Sequence, residues 1–222
     1  MRASLADQDD GQLSRLAAAV AQALLRPDTL AIALGANLPS PAGEPPDTLL
    51  AVRPLLEHLL QRWARSPLLF RWSPLQQTAP VGGPPGQRAY SNGVLLVELP
   101  VALAGTALAG TALPEAVKPE AAQPGAALQL LQGLQQLEAQ FGRPPQAQRQ
   151  HWGPRSLDLD LLWWGELVLD RPATAATPAL QLPHPLWRQR SFVVEPLATL
   201  IPAIPGALAQ DLAAERRGSL GT

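Results

Sequence analysis

The sequence predicts an α+β fold in which helices pack on an antiparallel sheet. Three observations lead there. Short apolar runs end at Gly, Pro or Asn, longer segments carry apolar residues at helical spacing, and the two kinds alternate along the chain. Gln12 to Arg26 places Leu13, Leu16, Val20 and Leu24 on one stripe and stops before Pro27, predicting a helix within an N-terminal extension, residues 1–28. Leu30 to Leu34 reads as the first strand, ended by Gly35. Asp47 is the expected N-cap of a helix to about Arg65, with Leu49, Leu50, Val52, Leu55, Leu56, Leu59, Leu60 and Trp63 as its buried stripe and Pro67 as its stop. Leu68 to Gln77 reads as a second strand, 78–86 as a loop rich in Gly and Pro, and Tyr90 to Leu99 as a third strand. Residues 100–125 hold a doubled Ala-Leu-Ala-Gly-Thr and read as a surface insertion. A helix follows from about Ala126 to Phe141, its stripe formed by Leu128, Leu131, Leu134, Leu137 and Phe141, with Gly142 placed to close it. The strand from Leu157 is expected to pair with Leu167 to Asp170 across Gly165-Glu166. Leu182-Pro183-His184-Pro185 is a fixed turn, and Phe192 to Ile201 begins a last helix or strand pair. This β-α-β-β-α-β order is that of the split βαβ, ferredoxin-like arrangement. The expected organisation is therefore the extension, a main domain over 29–202 carrying the insertion, and a C-terminal tail, 203–222.

Composition narrows the function. A net charge of −1 argues against a general nucleic-acid binder or a membrane-surface protein. The absence of cysteine leaves no disulfide framework and no thiolate chemistry. Met1 to Asp10 has no apolar signal region and no apolar run reaches spanning length, so a cytoplasmic protein is expected.

The chemistry concentrates in Trp152-Gly153-Pro154-Arg155-Ser156-Leu157-Asp158-Leu159-Asp160. Side chains alternate along a strand, so Asp158 and Asp160 share a face, roughly 7 Å apart along the backbone, while Leu157, Leu159 and Leu161 enter a core. An Asp-x-Asp alternation also occurs on ordinary strands with one wet face. The preceding segment tips the balance: from 139 to 157 there is no acidic residue, yet Arg143, Arg149, His151 and Arg155 all fall there. Two carboxylates beside a basic loop suit a divalent cation and a polyphosphate.

Four motifs stand in order along the chain. They are Ala33-Leu34-Gly35-Ala36-Asn37-Leu38, then Thr78-Ala79-Pro80-Val81-Gly82 with Tyr90-Ser91-Asn92, then the 152–160 segment, then Leu182-Pro183-His184-Pro185 with Arg190 and Phe192. Together they resemble the 6-hydroxymethyl-7,8-dihydropterin pyrophosphokinase family, with Ala for Ser at 36 and Ser for Thr at 156. The resemblance runs from about Thr29 to Pro202 and implies transfer of pyrophosphate from ATP to a reduced pterin, releasing AMP, in folate biosynthesis. It further implies two Mg²⁺ held by Asp158 and Asp160, with Arg143 and Arg155 as catalytic cations. Gln135, Glu138, Trp152, His184 and Arg190 would serve the nucleotide, while Thr78, Ala79, Val81, Tyr90, Asn92 and Phe192 would hold the pterin. ATP and pterin would be the partners, and the protein a monomer. The family commonly has a second arginine two positions after the first. Pro145 occupies that place here, in a loop about two residues longer, and Arg149 is the candidate substitute. A nucleotide-sugar transferase also uses Asp-x-Asp, but it gives no reason for Tyr90, Asn92 and Phe192. A drifted relative that binds without turnover is the non-enzymatic alternative, motivated by Pro144-Pro145.

Overall fold

In the computed structural model, described for residues 5–99, 124–145, 148–174 and 179–201, the elements follow the order β-α-β-β-β-α-β behind a leading helix. They are α1 (Leu5–Leu24), β1 (Thr29–Ala36), α2 (Pro45–Ala64), β2 (Leu69–Trp72), β3 (Gln76–Thr78), β4 (Tyr90–Glu98), α3 (Pro124–Gln140) and β5 (Asp158–Trp164). A small ribbon of β6 (Leu169–Arg171) and β7 (Leu180–Leu182) comes next, followed by a 3₁₀ turn (Trp187–Gln189) and α4 (Ser191–Ala198). The main sheet runs β2-β4-β1-β5, and every pair in it is antiparallel. The chain is thus an α+β protein. The 100–125 insertion falls outside the described residues apart from its last two, which open α3, and the 203–222 tail falls outside entirely.

β1 and β4 are apolar on both faces, because the sheet is covered on both. Leu30, Ile32 and Leu34 of β1, with Leu95 and Val97 of β4 and Leu159, Leu161 and Trp164 of β5, bury against α2 and α3. Gly133 of α3 lets the two helices close up, since a Cβ there would meet Leu59 at 2.8 Å. The opposite face presents Ala31, Ala33, Val94 and Leu96, covered by Leu16, Val20 and Leu24 of α1 and by Val193, Val194 and Leu197 of α4. The predicted helix at 12–26 therefore forms, starts earlier, and roofs half of a sheet face. A β-bulge where β5 passes Ala31 and Ile32 puts the neighbours Leu162 and Trp163 on one face and Trp164 on the other. Trp163 lies 5.3 Å from Trp187, and Trp164 meets Trp63 edge-on at 4.7 Å.

Four sequence expectations are corrected. Asp47 is not the cap of α2. The helix starts three residues earlier, with Glu44 at the N-cap and Pro45-Pro46 in the first turn, where a missing N–H costs nothing. Leu50 and Leu55, expected on its buried stripe, are 51% and 44% exposed, because eight large apolar residues in fifteen exceed one helical face. The strand expected over 68–77 is two strands, both paired with β4. Pro74 cannot donate to the ladder, and the Ser73 hydroxyl takes the Val94 N–H at 3.0 Å across the break. Finally, 167–170 does not pair with β5: Gly165 turns the chain at φ 52°, and β6 pairs with β7, whose Leu180 and Leu182 enter the core.

Candidate active site

The face shared by α1 and α4 is only half roofed, and the sheet positions left open carry the polar residues. Register places Asp158 beside Gly35 and Gly35 beside Asn92, so that one row crosses β5, β1 and β4. The next row sets Asp160 beside Ala33. Small residues on β1 leave the space above the two carboxylates empty, and a Cβ on Gly35 would meet Asn92 Oδ1 at 3.1 Å. That row floors a pocket walled by the 78–82 loop, by Trp152, and by the segment leading into α4.

The charges interlock. Asp158 accepts from Arg155 Nη1 at 2.6 Å and, on its other oxygen, from Arg143. Arg190 Nη1 lies 3.1 Å from Asp160 Oδ2 and its guanidinium stands over the Phe192 ring at 5.7 Å. Burial alone would raise Asp158, but Arg143 and Arg155 outweigh it and hold the carboxyl below its ordinary value. Asp160 goes the other way: burial and the Asp158 charge push it up to about 6 against the pull of Arg190. Glu138, under the floor, is raised to about 7 by burial despite Arg143.

Whether these residues fit a divalent cation turns on the donor set. Among the described residues no group of three or more His, Asp or Glu could hold a metal unaided. Two carboxylates on one open face suit Mg²⁺, which keeps waters and takes the rest of its shell from substrate phosphates. The arginines now on those carboxylates show that positive charge is wanted there.

The other half of the pocket suits a flat polar ring. Tyr90 and Phe192 both line the pocket and bring aromatic rings to it. Asn92, 4% exposed, donates to Thr78 Oγ1 at 2.7 Å. The Tyr90 hydroxyl is 3.3 Å from the Gly153 carbonyl, and burial raises its pKa. Trp152, 53% exposed and left-handed at φ 51°, lays its ring on Gly82, where a Cβ would meet it at 2.8 Å.

Of the residues predicted from sequence, Thr78, Ala79, Val81, Tyr90, Asn92 and Phe192 line this pocket. Trp152, Arg155, Asp158, Asp160 and Arg190 line it as well. Arg143 reaches Asp158 from beside it. Glu138 and Gln135 are not on the pocket wall; the first is buried and the second half-buried on α3. His184 sits one layer behind, its N–H on the Leu162 carbonyl at 2.7 Å and its Nδ1 accepting from the Leu186 N–H at 3.2 Å. Burial and then Arg190 depress it to about 4.

Two contributors, Gln87 and Gly35, escaped sequence reasoning as site residues, while Asn37 satisfies backbone groups at a strand end, as its position there leads one to expect. Asn37 accepts the Arg155 N–H at 2.8 Å and donates to the Arg88 carbonyl at 3.2 Å, tying two loops to the end of β1. Gln87 donates to the carbonyls of Gly82 and Trp152 at 3.3 and 3.1 Å and accepts from Tyr90 and Asn37. Gly35 is the empty cell of the floor. Asn37 and Gly35 stood inside a quoted motif, but Gln87 carried no signal, since its role depends on loops distant in sequence.

What the arrangement can do is neutralise a polyphosphate beside a stacked heterocycle, which defines an α+β protein of the phosphotransfer kind. Comparison with known proteins agrees. Residues 115–202 match the family model described as 7,8-dihydro-6-hydroxymethylpterin-pyrophosphokinase. Over 171 residues the chain is 32% identical to the 2-amino-4-hydroxy-6-hydroxymethyldihydropteridine pyrophosphokinase of Pseudomonas aeruginosa, covering 77% of this chain and 79% of that one. Proteins of the same name from Synechocystis and Bacillus subtilis are 40% and 36% identical over 74 and 72 residues. These stretches cover 33% and 32% of this chain, and 33% and 38% of theirs. The chain belongs to the 7,8-dihydro-6-hydroxymethylpterin-pyrophosphokinase family.

Proposed function

We infer that this protein transfers the pyrophosphoryl group of ATP to the hydroxymethyl oxygen of 6-hydroxymethyl-7,8-dihydropterin, releasing AMP, in the synthesis of folate. The observation that carries the reading is one pocket with the Asp158–Asp160 pair and its arginines at one end and Tyr90, Asn92 and Phe192 at the other. Bound Mg²⁺, held by Asp158 and Asp160 with ATP oxygens completing its shell, would supply charge neutralisation to the triphosphate. Two such ions and a monomeric protein are the expectation carried over from the family. The ferredoxin-like reading of the sheet is supported by its β2-β4-β1-β5 order, in which each of two βαβ units has a strand of the other inserted.

The chain's own residues supply positioning and electrostatics. Tyr90 and Phe192 clamp the pterin, while Asn92, braced by Thr78, meets its amide edge. That holds the acceptor hydroxyl toward the carboxylate end and makes the attack effectively intramolecular. Arg143, Arg155 and Arg190 stand at the carboxylates, where their charge would neutralise phosphate oxygens and the charge that accumulates on the departing AMP. Trp152 and the 78–82 loop exclude water, which would otherwise compete as acceptor. His184, neutral at pH 7 and fixed in its turn, holds the segment that delivers Arg190.

The test is nucleotide product analysis with purified protein, ATP, Mg²⁺ and the pterin. AMP that forms only with pterin supports the reading. ADP would mean that a different bond is broken, and no pterin-dependent product from folded protein would leave only a binder.

A further inference from the structure

We infer that Glu138 is a positioning residue that draws Arg143 away from Asp158, keeping that carboxylate open to a divalent cation and Arg143 beside the polyphosphate. This rests on the reading of Asp158 and Asp160 given above. The Glu138 side chain is 4% exposed and lies behind the pocket rather than on its wall. A carboxylate so buried requires partners. Oε1 accepts the Leu159 N–H at 2.8 Å and also an Arg143 N–H, while Arg149 Nη2 stands 3.6 Å from Oε2.

Each contact has a consequence at the site. Leu159 lies between the two aspartates, so the first bond fixes β5 where its acidic pair projects. Arg143 shares one Nη1 between Glu138 Oε1 and Asp158 Oδ1, while Arg155 takes Asp158 Oδ2. Both oxygens of Asp158 are therefore occupied by guanidinium groups, and a cation that takes this carboxylate must displace one of them. Displacement into a half-buried site is unfavourable unless the arginine has a second acceptor. Arg155 has one in the Gly153 carbonyl, reached at 3.2 Å by Nε and by Nη2. Arg143 has Glu138. The arrival of metal is then an exchange of partners in place, and Arg143 remains 11% exposed at the edge of the polyphosphate.

Local sequence brings the pair together. Gly142 adopts φ 85° beyond the end of α3 and turns the chain back, so that the Arg143 N–H bonds the Glu138 carbonyl at 3.1 Å. Arg149 arrives from the far end of the same loop, its Nε on the Pro144 carbonyl at 2.9 Å. One buried carboxylate thus gathers guanidinium groups from both ends of the basic loop, although Pro145 supplies none.

The experiment uses Glu138→Gln, whose amide oxygen keeps the Leu159 bond while its charge is lost, and the double variant Glu138→Gln/Arg143→Ala. Mn²⁺ binding is followed by electron paramagnetic resonance with α,β-methylene-ATP, so that no turnover is needed, and folding is checked by thermal melt. In Glu138→Gln the one carboxylate partner left to Arg143 among the described residues is Asp158. Its Mn²⁺ affinity is expected to fall about tenfold, on the scale of one partly buried ion pair. Removing Arg143 as well should recover part of that loss, because the competing cation goes even though its contact with the polyphosphate goes with it. A merely structural role would not produce that rescue. If Glu138→Gln binds Mn²⁺ as the parent does, or the double variant binds no better than the single, the inference is overturned. Should Glu138→Gln not fold, the double variant must bind Mn²⁺ as Arg143→Ala alone does, since Glu138 acts through Arg143; weaker binding would overturn the inference. Failure of the parent protein to bind Mn²⁺ with the analogue would overturn the functional reading itself.

Discussion

The two ends of the pocket are built by opposite means. The carboxylate end stands on three paired strands and is locked by ion pairs: Arg143 and Arg155 on Asp158, Arg190 on Asp160. The ring end takes Tyr90 and Asn92 from β4 and Phe192 from α4, but its outer wall is made of loops, held by glycines with positive φ and by the long hydrogen bonds of Gln87. Phosphoryl transfer needs fixed distances, which a sheet provides, whereas the admission of a substrate needs a wall that can open, which loops provide. Damage to the floor should therefore abolish chemistry, and damage to the wall should weaken binding of the ring.

The largest effect is expected at the floor. Asp160→Ala should lower AMP formation about a thousandfold, with a nearly unchanged melting temperature because this carboxylate's one ion pair is a third exposed. A steady-state assay beside a thermal melt separates the two, and a variant that loses both would mean that the floor is structural. At the wall, Gly83→Ala forces a Cβ onto a residue at φ 79°, against the Trp152 carbonyl and the Gln87 amide. Strain of about 1–3 kcal/mol should weaken pterin binding about tenfold by calorimetry. Binding of Mn²⁺ with the ATP analogue should stay intact; loss of both would erase the distinction between the ends.

Proton competition sharpens it further. The Asp160 carboxyl is raised to about 6 by burial and by Asp158, so the metal-free protein holds a proton there below that pH and releases it above. Mn²⁺ affinity should fall about tenfold per pH unit below about 6, as a proton and a cation contend for one carboxylate. Affinity that holds level from pH 7.5 to 5 would place the metal elsewhere. The smallest effect is expected for Gln87→Ala. Loss of its hydrogen bonds between partly exposed groups should weaken pterin binding about threefold, on the scale of one net hydrogen bond. Equal weakening of nucleotide binding would show that the latch serves both ends.

Much of the site was legible because its residues lie close together in sequence. Asp158 and Asp160 share a face by strand alternation, and Arg155 precedes them by three positions. Tyr90 and Asn92 alternate in the same way on β4. Elements with a single strong period were also legible, such as β4 and the helix after the insertion. The errors occurred where the pattern was wider than one face or where tertiary pairing chose the partner. Leu50 and Leu55 could not be told from their buried neighbours, and nothing near 167–170 announced that its partner would be β7 rather than β5. His184 and Glu138 were readable, through the family resemblance, as residues that serve the nucleotide. Their distance from the pocket wall was not.

The sequence by itself determined which groups are present and which of them must point the same way, because alternation, capping and turn geometry are local. It thereby determined the acidic pair, the basic loop before it, and the apolar faces that make a two-sided sheet. Only the tertiary structure decided which groups meet. The alignment of Gly35 between Asp158 and Asn92, the half-roofed face left by α1 and α4, and the bridging of Asp158 and Glu138 by Arg143 each join segments from separate strands, helices and loops. Contacts of that kind depend on strand register and helix packing across the whole sheet, which no local pattern encodes.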